Sequence, residues 1–139
     1  LEITEDSVRE IGAAVTILKD LRDLGIQLHL DDFGTGYASL SYLYQLPLAV
    51  SKIDRSFISE MDRSRGNQQV VRAMVNLIHD LGMEVTVEGV ETEEQCAFVE
   101  SLGCEFAQGF YYSKPLDTES LWALFRRLND FRFELEATG

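Results

Sequence analysis

Apolar residues along this chain alternate between two periods. Short apolar runs are followed by longer stretches in which apolar positions return every three or four residues. Leu1–Thr4 reads as the end of a strand. Ser7 with Glu10 makes a capping pair, Val8, Ile11, Val15, Leu18 and Leu21 then fall at helical spacing, and Gly25 stops the helix. Ile26–Leu30 predicts the next strand. A glycine-rich loop through Gly34, Thr35 and Gly36 follows it, then a short helix near Ser39–Tyr44 that Pro47 ends. Ala49–Ile53 predicts a third strand and Asp62–Asn67 a polar loop. Val70, Val71, Met74, Leu77, Ile78 and Leu81 form a helical stripe punctuated by Gly82. Val85–Val87 predicts a fourth strand, and Thr92 with Gln95 caps a helix carrying Phe98, Val99 and Leu102, which Gly103 stops. Glu105–Gln108 is a weaker fifth strand. Beyond Pro115, residues 118–133 predict a final helix containing Trp122 and Phe125.

Strands that alternate with helices at these spacings imply parallel strands joined by right-handed crossovers. The chain is read as α/β, with five parallel strands and flanking helices. No sequence repeat, low-complexity tract or linker interrupts the pattern.

The polar residues fall in one kind of place. Glu2 lies on the first predicted strand with Glu5 just beyond it, Asp31 and Asp32 follow the second, and Lys52 and Asp54 belong to the third. Glu88 follows the fourth with Glu91 after it, and Gln108 closes the fifth. In parallel α/β folds the C-terminal ends of the strands build the active site, so carboxylates, an ammonium and an amide are directed to one rim. A lone acid at a strand end is most often simply solvated, Asp31 and Asp32 could cap a turn, and Lys52 alone could be a surface lysine. The joint pattern is harder to dismiss, because gathered carboxylates repel and are costly to bury without a cation. An all-oxygen donor set favours Mg²⁺ or Mn²⁺ over zinc.

Composition narrows the partners. The 139 residues carry 24 acidic and 12 basic side chains, for a net charge of −12, which argues against a DNA or RNA polymer as ligand. A small anionic ligand remains compatible when a divalent cation stands between it and the acids. Cys96 and Cys104 lack metal-type spacing and read as reduced packing residues of a cytoplasmic protein. His29 and His79 read as structural, and Met74, Phe98, Trp122 and Phe125 as core or helix-packing residues. Asp32-Phe33-Gly34 matches a kinase magnesium motif in three letters only, without the catalytic loop that should precede it. No apolar run approaches the ~20 residues of a membrane span, and no secretory leader is visible.

Five segments together resemble the EAL domain family: Leu1-Glu2-Ile3-Thr4-Glu5, Asp31-Asp32-Phe33-Gly34-Thr35-Gly36-Tyr37, Lys52-Ile53-Asp54, Glu88-Gly89-Val90-Glu91 and Gln108-Gly109-Phe110. They occur in the family's order and spacing across about residues 1–116. The resemblance implies a modified (β/α)₈ barrel that cleaves one phosphodiester bond of cyclic di-GMP to give linear pGpG, with two Mg²⁺ or Mn²⁺ ions. It implies metal-ligand roles for Glu2, Asp31, Asp32 and Glu88, and contact between Lys52 and the attacking water. Lys52 could also carry a proton if burial lowers its pKa. Supporting positions near the substrate fall to Asp54, Glu91 and Gln108. Glu5 is implied to anchor the loop 33–40, which links metal binding to dimer contacts.

A complete barrel of this kind takes ~250 residues. The whole chain, residues 1–139, is therefore expected to be the C-terminal part of one EAL domain, beginning at the fourth barrel strand and lacking the Glu-Ala-Leu motif and further metal ligands. Alone it is expected to be inactive, and to form a homodimer or associate with its missing half. Sensory or GGDEF domains are expected elsewhere in the parent, as is any membrane anchor. The alternative is a catalytically inactive cyclic-di-GMP sensor or interaction module.

Overall fold

The computed structural model describes residues 1–8, 15–36, 43–61 and 64–126. Five strands, β1 (Glu2–Thr4), β2 (His29–Phe33), β3 (Val50–Ile53), β4 (Glu84–Glu88) and β5 (Phe106–Gln108), pair in parallel in the order of the chain. With right-handed crossovers, a sheet that grows in one direction keeps all its helices on one face. The reversal of strand order that marks a doubly wound sheet is missing. This is a section of barrel wall, as the family resemblance implies, with β1 and β5 at its two edges.

The register sorts the side chains into two faces. Leu30, Ser51 and Val85 lie in one row, and Ile53 and Val87 in another, both turned to the helices. Between these rows runs a third, in which Thr4 pairs with Asp31 and Lys52 with Thr86, on the opposite face. The helix side is apolar and closed: Leu30, Ile53, Val85 and Val87 are fully buried with Val71, Val75 and Ile78 of the helix Arg65–Asp80. The other face carries the polar residues.

Several boundaries move from their predicted places, each for a local reason. β2 starts at His29 rather than Ile26, because its ladder begins where the His29 N–H donates to Leu1 O at 2.8 Å, and it runs through both aspartates. The first helix begins at Glu5, so Ser7 lies inside it instead of capping it, and its hydroxyl pairs with that of Thr4 at 2.8 Å; Glu10 and Ile11 lie outside the described residues. The predicted loop Asp62–Asn67 is already helical from Arg65, because the Ser64 hydroxyl caps the helix by accepting from the Asn67 N–H at 3.2 Å. In that helix Val70 faces solvent, and Val75, absent from the predicted stripe, is buried. The helix Arg55–Met61, which buries Ile58 and Met61, was not predicted. Its signal is Asp54, whose carboxylate accepts the Ser56 N–H at 2.9 Å. The capping pair Thr92 and Gln95 is present with both reciprocal bonds. Most of the segment expected to be helical near Ser39–Tyr44 lies outside the described residues, as do 127–133. Residues 118–126 are helical, but Trp122 and Phe125 are exposed on this chain and pair edge to face at 6.4 Å. No helix among the described residues is long and apolar enough to cross a membrane.

The β4–β5 ladder is closed at its lower end by a side chain. The Glu105 carboxylate accepts the Val85 N–H at 2.7 Å and lies 3.3 Å from His79 Nε2. Partial burial would raise the Glu105 pKa, but the Val85 N–H and His79 outweigh it and hold the carboxyl below its usual value of 4.5. A depressed folded-state pKa contributes stability above the unfolded value and loses it as pH falls through the folded one. Thermal melts between pH 5 and pH 2 are therefore expected to decline less steeply for Glu105→Gln than for the unaltered chain; parallel declines would disprove the contribution.

Candidate active site

The third strand brings a lysine into the middle of the polar face. Lys52 Nζ lies 3.1 Å from Glu2 Oε1, 3.1 Å from Asp31 Oδ1 and 2.7 Å from Glu88 Oε1. These three acids come from β1, β2 and β4. Gln108 of β5 joins them, donating from Nε2 to Glu88 Oε1 at 2.8 Å, as its register opposite Glu88 requires. Every strand of the sheet thus contributes one side chain to a single cluster. Lys52, Glu88 and Asp31 are largely sheltered, while Glu2 is 57% exposed at the edge strand. Glu2 is the first residue of β1 rather than its last, and its longer side chain still reaches Lys52.

The electrostatics make Lys52 a fixed cation. Burial alone would lower its pKa, but hydrogen bonds to Glu88, Glu2 and Asp31 more than reverse this and push it well above the ordinary lysine value.

The two adjacent aspartates divide their tasks. Along β2 the pairing passes from Leu30↔Ser51 to Phe33↔Ile53, so three steps on β2 match two on β3. The extra residue is a β-bulge. Asp32 takes it up with φ of 57°, a left-handed conformation that aspartate tolerates better than most residues. Asp31 reaches Lys52, and Asp32 turns the chain, its carbonyl accepting from Thr35 N at 3.1 Å and Thr35 Oγ1 at 2.8 Å. The Asp32 carboxylate is not among those on Lys52.

Glu5 holds the loop that leaves this bulge. It is buried, and its Oε2 accepts from the backbone N–H groups of Gly34 at 2.7 Å and Gly36 at 3.3 Å. Gly34 has φ of 94° and sits against Phe57 and Met74, where a Cβ would come within 2.6 Å of Met74 Cε. The part of the loop from 37 to 40 lies outside the described residues.

Asp54 and Glu91 stand beside the cluster, not in it. Partial burial would raise the Asp54 pKa, but hydrogen bonds from Ser56 outweigh it and lower it, consistent with the helix-capping role. Glu91 donates its backbone N–H to Gln95 Oε1 at 2.8 Å and lines a cavity of about 420 Å³ with Arg55, Glu88, Gln108, Phe110 and Lys114. The sequence reading did not assign Arg55 or Lys114 to the site. Lys114 is drawn there by the turn after β5, and lies 5.8 Å over the Phe110 ring. The cavity thus holds two cations, two acids and an aromatic ring.

The donor chemistry of Glu2, Asp31, Asp32 and Glu88 suits a hard divalent cation. Three of these carboxylates already converge on one positive centre, the Lys52 ammonium. Among the described residues no group of three acids, histidines or cysteines is arranged to hold a metal. His79 bonds Glu105 instead, and Cys96 and Cys104 are free thiols.

The family model described as the EAL domain matches residues 1–115. The cyclic di-GMP phosphodiesterase NbdA of Pseudomonas aeruginosa is 42% identical over 135 residues, a match covering 96% of this chain and 17% of that protein. The solved structure of the PaMucR phosphodiesterase in complex with c-di-GMP, from the same organism, is similar with a TM-score of 0.81 and 43% identity, covering 87% of this chain and 49% of that one. The manganese and cyclic di-GMP complex of Klebsiella pneumoniae BlrP1 is similar with a TM-score of 0.72 and 36% identity, covering 82% and 29%. The chain thus spans about half of the MucR structure and under a fifth of NbdA.

Proposed function

The chain belongs to the EAL domain family, and on that premise we propose that the domain to which it contributes hydrolyses cyclic di-GMP to linear pGpG with Mg²⁺ or Mn²⁺. The observation that carries this reading is the convergence of Glu2, Asp31, Glu88 and Gln108 on or beside Lys52 at one mouth of the sheet. Relatives bearing the phosphodiesterase name, and one solved as a manganese and cyclic di-GMP complex, support it.

Glu2, Asp31, Asp32 and Glu88 would hold the metal. When bound, a divalent metal lowers the pKa of its water and offsets charge on the phosphate. The chain's own residues prepare the rest. Lys52 supplies a permanent positive charge to orient the attacking water and offset the phosphodiester. Gln108 fixes the Glu88 carboxylate through its amide. Glu5, by tying down Gly34 and Gly36, holds the bulge that aims Asp31. Arg55, Lys114 and Phe110 would receive a phosphate and a guanine in the adjoining cavity. Asp54 and Glu91 support that wall.

The same reading makes the 139-residue chain inactive alone, because its five strands leave a barrel wall open at both edges. It would associate with the remaining half of the barrel or pair as a homodimer. It places the domain in the cytoplasm, with GGDEF or sensory domains attached in the parent; the relative MucR is named a bifunctional diguanylate cyclase and phosphodiesterase. The test is chromatographic assay of cyclic di-GMP with Mn²⁺, on this chain and on a longer polypeptide that completes the barrel. Only the longer one is expected to release pGpG. Tight binding without cleavage by the longer one would instead identify a sensor, and turnover by the chain alone would refute its inactivity.

A further inference from the structure

The helix Glu93–Ser101 holds two segments that line the cavity, with consecutive residues near its start. Gln95 is buried, and its Oε1 accepts from the backbone N–H groups of Glu91 at 2.8 Å and Thr92 at 3.3 Å. That bond fixes the chain after β4, where Glu91 lines the cavity. Cys96 is also buried, and no step of the hydrolysis uses it. Its thiol donates to Glu100 Oε1 at 3.6 Å, which leaves the sulfur to accept from the Tyr112 hydroxyl at 3.2 Å. Tyr112 belongs to the turn after β5, whose Phe110, Ser113 and Lys114 line the same cavity. Backbone bonds fix the base of this turn: Tyr111 N–H donates to Val90 O at 3.0 Å, and the N–H groups of Tyr112 and Ser113 donate to Gly109 O at 3.1 and 3.3 Å. The Tyr112 hydroxyl adds a side-chain tie from the turn to the helix.

We propose that Cys96 and Tyr112 are positioning residues for the ligand: the thiol holds the phenol, and the phenol holds the turn that presents Phe110 and Lys114 to the cavity. This rests on the hydrolase reading for the identity of the ligand, a cyclic dinucleotide, and adds to it a device that sets affinity. With Gln95 gripping one segment and Cys96 the other, a single helix fixes the spacing between them. Lys114 lies two residues beyond Tyr112, so a turn held at Tyr112 presents its ammonium already in place. Without the tie, the turn must be ordered when the ligand binds, and that ordering weakens binding. Lys52 and Glu88 lie on β3 and β4, which the turn does not carry, so the effect falls on binding and not on bond cleavage. The Tyr112 phenol pKa is pushed up to about 12, first by its hydrogen bond with Cys96 and then by partial burial, so the phenol is protonated and the tie intact at neutral pH.

The experiment is steady-state kinetics of cyclic di-GMP hydrolysis by the polypeptide that completes the barrel, with the Kd for cyclic di-GMP measured beside it. Tyr112→Phe and Cys96→Ala are each expected to raise KM about three- to tenfold, the loss of one hydrogen bond, with kcat changed by less than about twofold. Cys96→Ser keeps a group that donates and accepts, and should return KM to within about twofold of the unaltered domain. Lys114→Met removes a group that the tie positions, so adding Tyr112→Phe to it should raise KM by less than about twofold further. An unchanged KM in Tyr112→Phe and Cys96→Ala, a fall in kcat alone, or full additivity with Lys114→Met overturns the positioning role and leaves the hydrolase reading standing. If the unaltered domain binds cyclic di-GMP without cleaving it, the hydrolase reading falls, and the Kd values of the same variants decide the positioning role. If it neither binds nor cleaves, both fall. Should the variants fail to fold, alkylation of the unaltered domain with iodoacetamide decides. Cys96 is buried, so its labelling reports opening of the contact with Tyr112. Saturating cyclic di-GMP should slow that labelling several-fold relative to Cys104, by the reciprocity of linked equilibria; unchanged relative labelling overturns the proposal.

Discussion

Replacing Glu88 by glutamine in the completed domain is expected to lower the turnover of cyclic di-GMP by ~10²–10⁴-fold, with a much smaller change in KM. Glu88 is the point where the cluster is tied together. It holds Lys52 at 2.7 Å and receives Gln108 at 2.8 Å on the same oxygen. Glutamine has nearly the same shape, so packing around β4 should survive, but it removes the charge that attracts Lys52 and one candidate metal ligand. The side chain lies at the mouth of the sheet and not in the apolar layer, so the variant should melt within a few degrees of the unaltered domain. Both effects would act on the reacting phosphodiester, while binding of the rest of the dinucleotide would depend more on the cavity wall. The check is steady-state kinetics beside a thermal melt. A loss below tenfold with normal folding would show that Glu88 is not part of the catalytic machinery.

Gly109→Ala is expected to destabilise the chain by about 3 kcal/mol or more, a fall of ~10 °C in melting midpoint. A Cβ at Gly109 would collide with the backbone of Val90, not with a side chain that could turn away. Val90 cannot easily retreat, since its N–H donates to Gln108 O at 3.1 Å and its carbonyl accepts from Tyr111 N at 3.0 Å. The site would suffer too, because Gln108 is the neighbour that fixes Glu88. Gly66 gives an internal control. It lies in the first turn of the helix Arg65–Asp80, and the nearest atom to an added Cβ is Ser64 Oγ at 3.5 Å. Gly66→Ala should raise stability by roughly 0.5–1 kcal/mol by restricting the unfolded chain. Equal melts for Gly109→Ala and the unaltered chain would mean that the approach of the two backbones can relax.

The sequence reading anticipated the grouping of residues whose position follows from strand order. Glu2, Asp31, Lys52, Glu88 and Gln108 each lie on a predicted strand or at its end, and parallel pairing in chain order is enough to make them neighbours. It did less well where a hydrogen bond between distant segments decides the outcome. The anchoring of Gly34 and Gly36 by Glu5 joins residues 29 and 31 positions apart, and entered only through family resemblance. Arg55 and Lys114 were not assigned to the cavity because one leads an unpredicted helix and the other lies on an irregular turn. Trp122 and Phe125 were expected to pack, yet stay exposed, because apolar character signals burial without naming the surface that provides it.

Periodicity and the spacing of polar residues account for the parallel α/β wall, its polar mouth and its acid-rich chemistry, since both are local properties of the chain. The division of labour between Asp31 and Asp32, the triple hold on Lys52 and the upward shift of its pKa arise only when strands distant in sequence lie side by side. A bulge and an ion cluster depend on register and on angstrom-scale distances, and neither is written in the order of residues along a single strand.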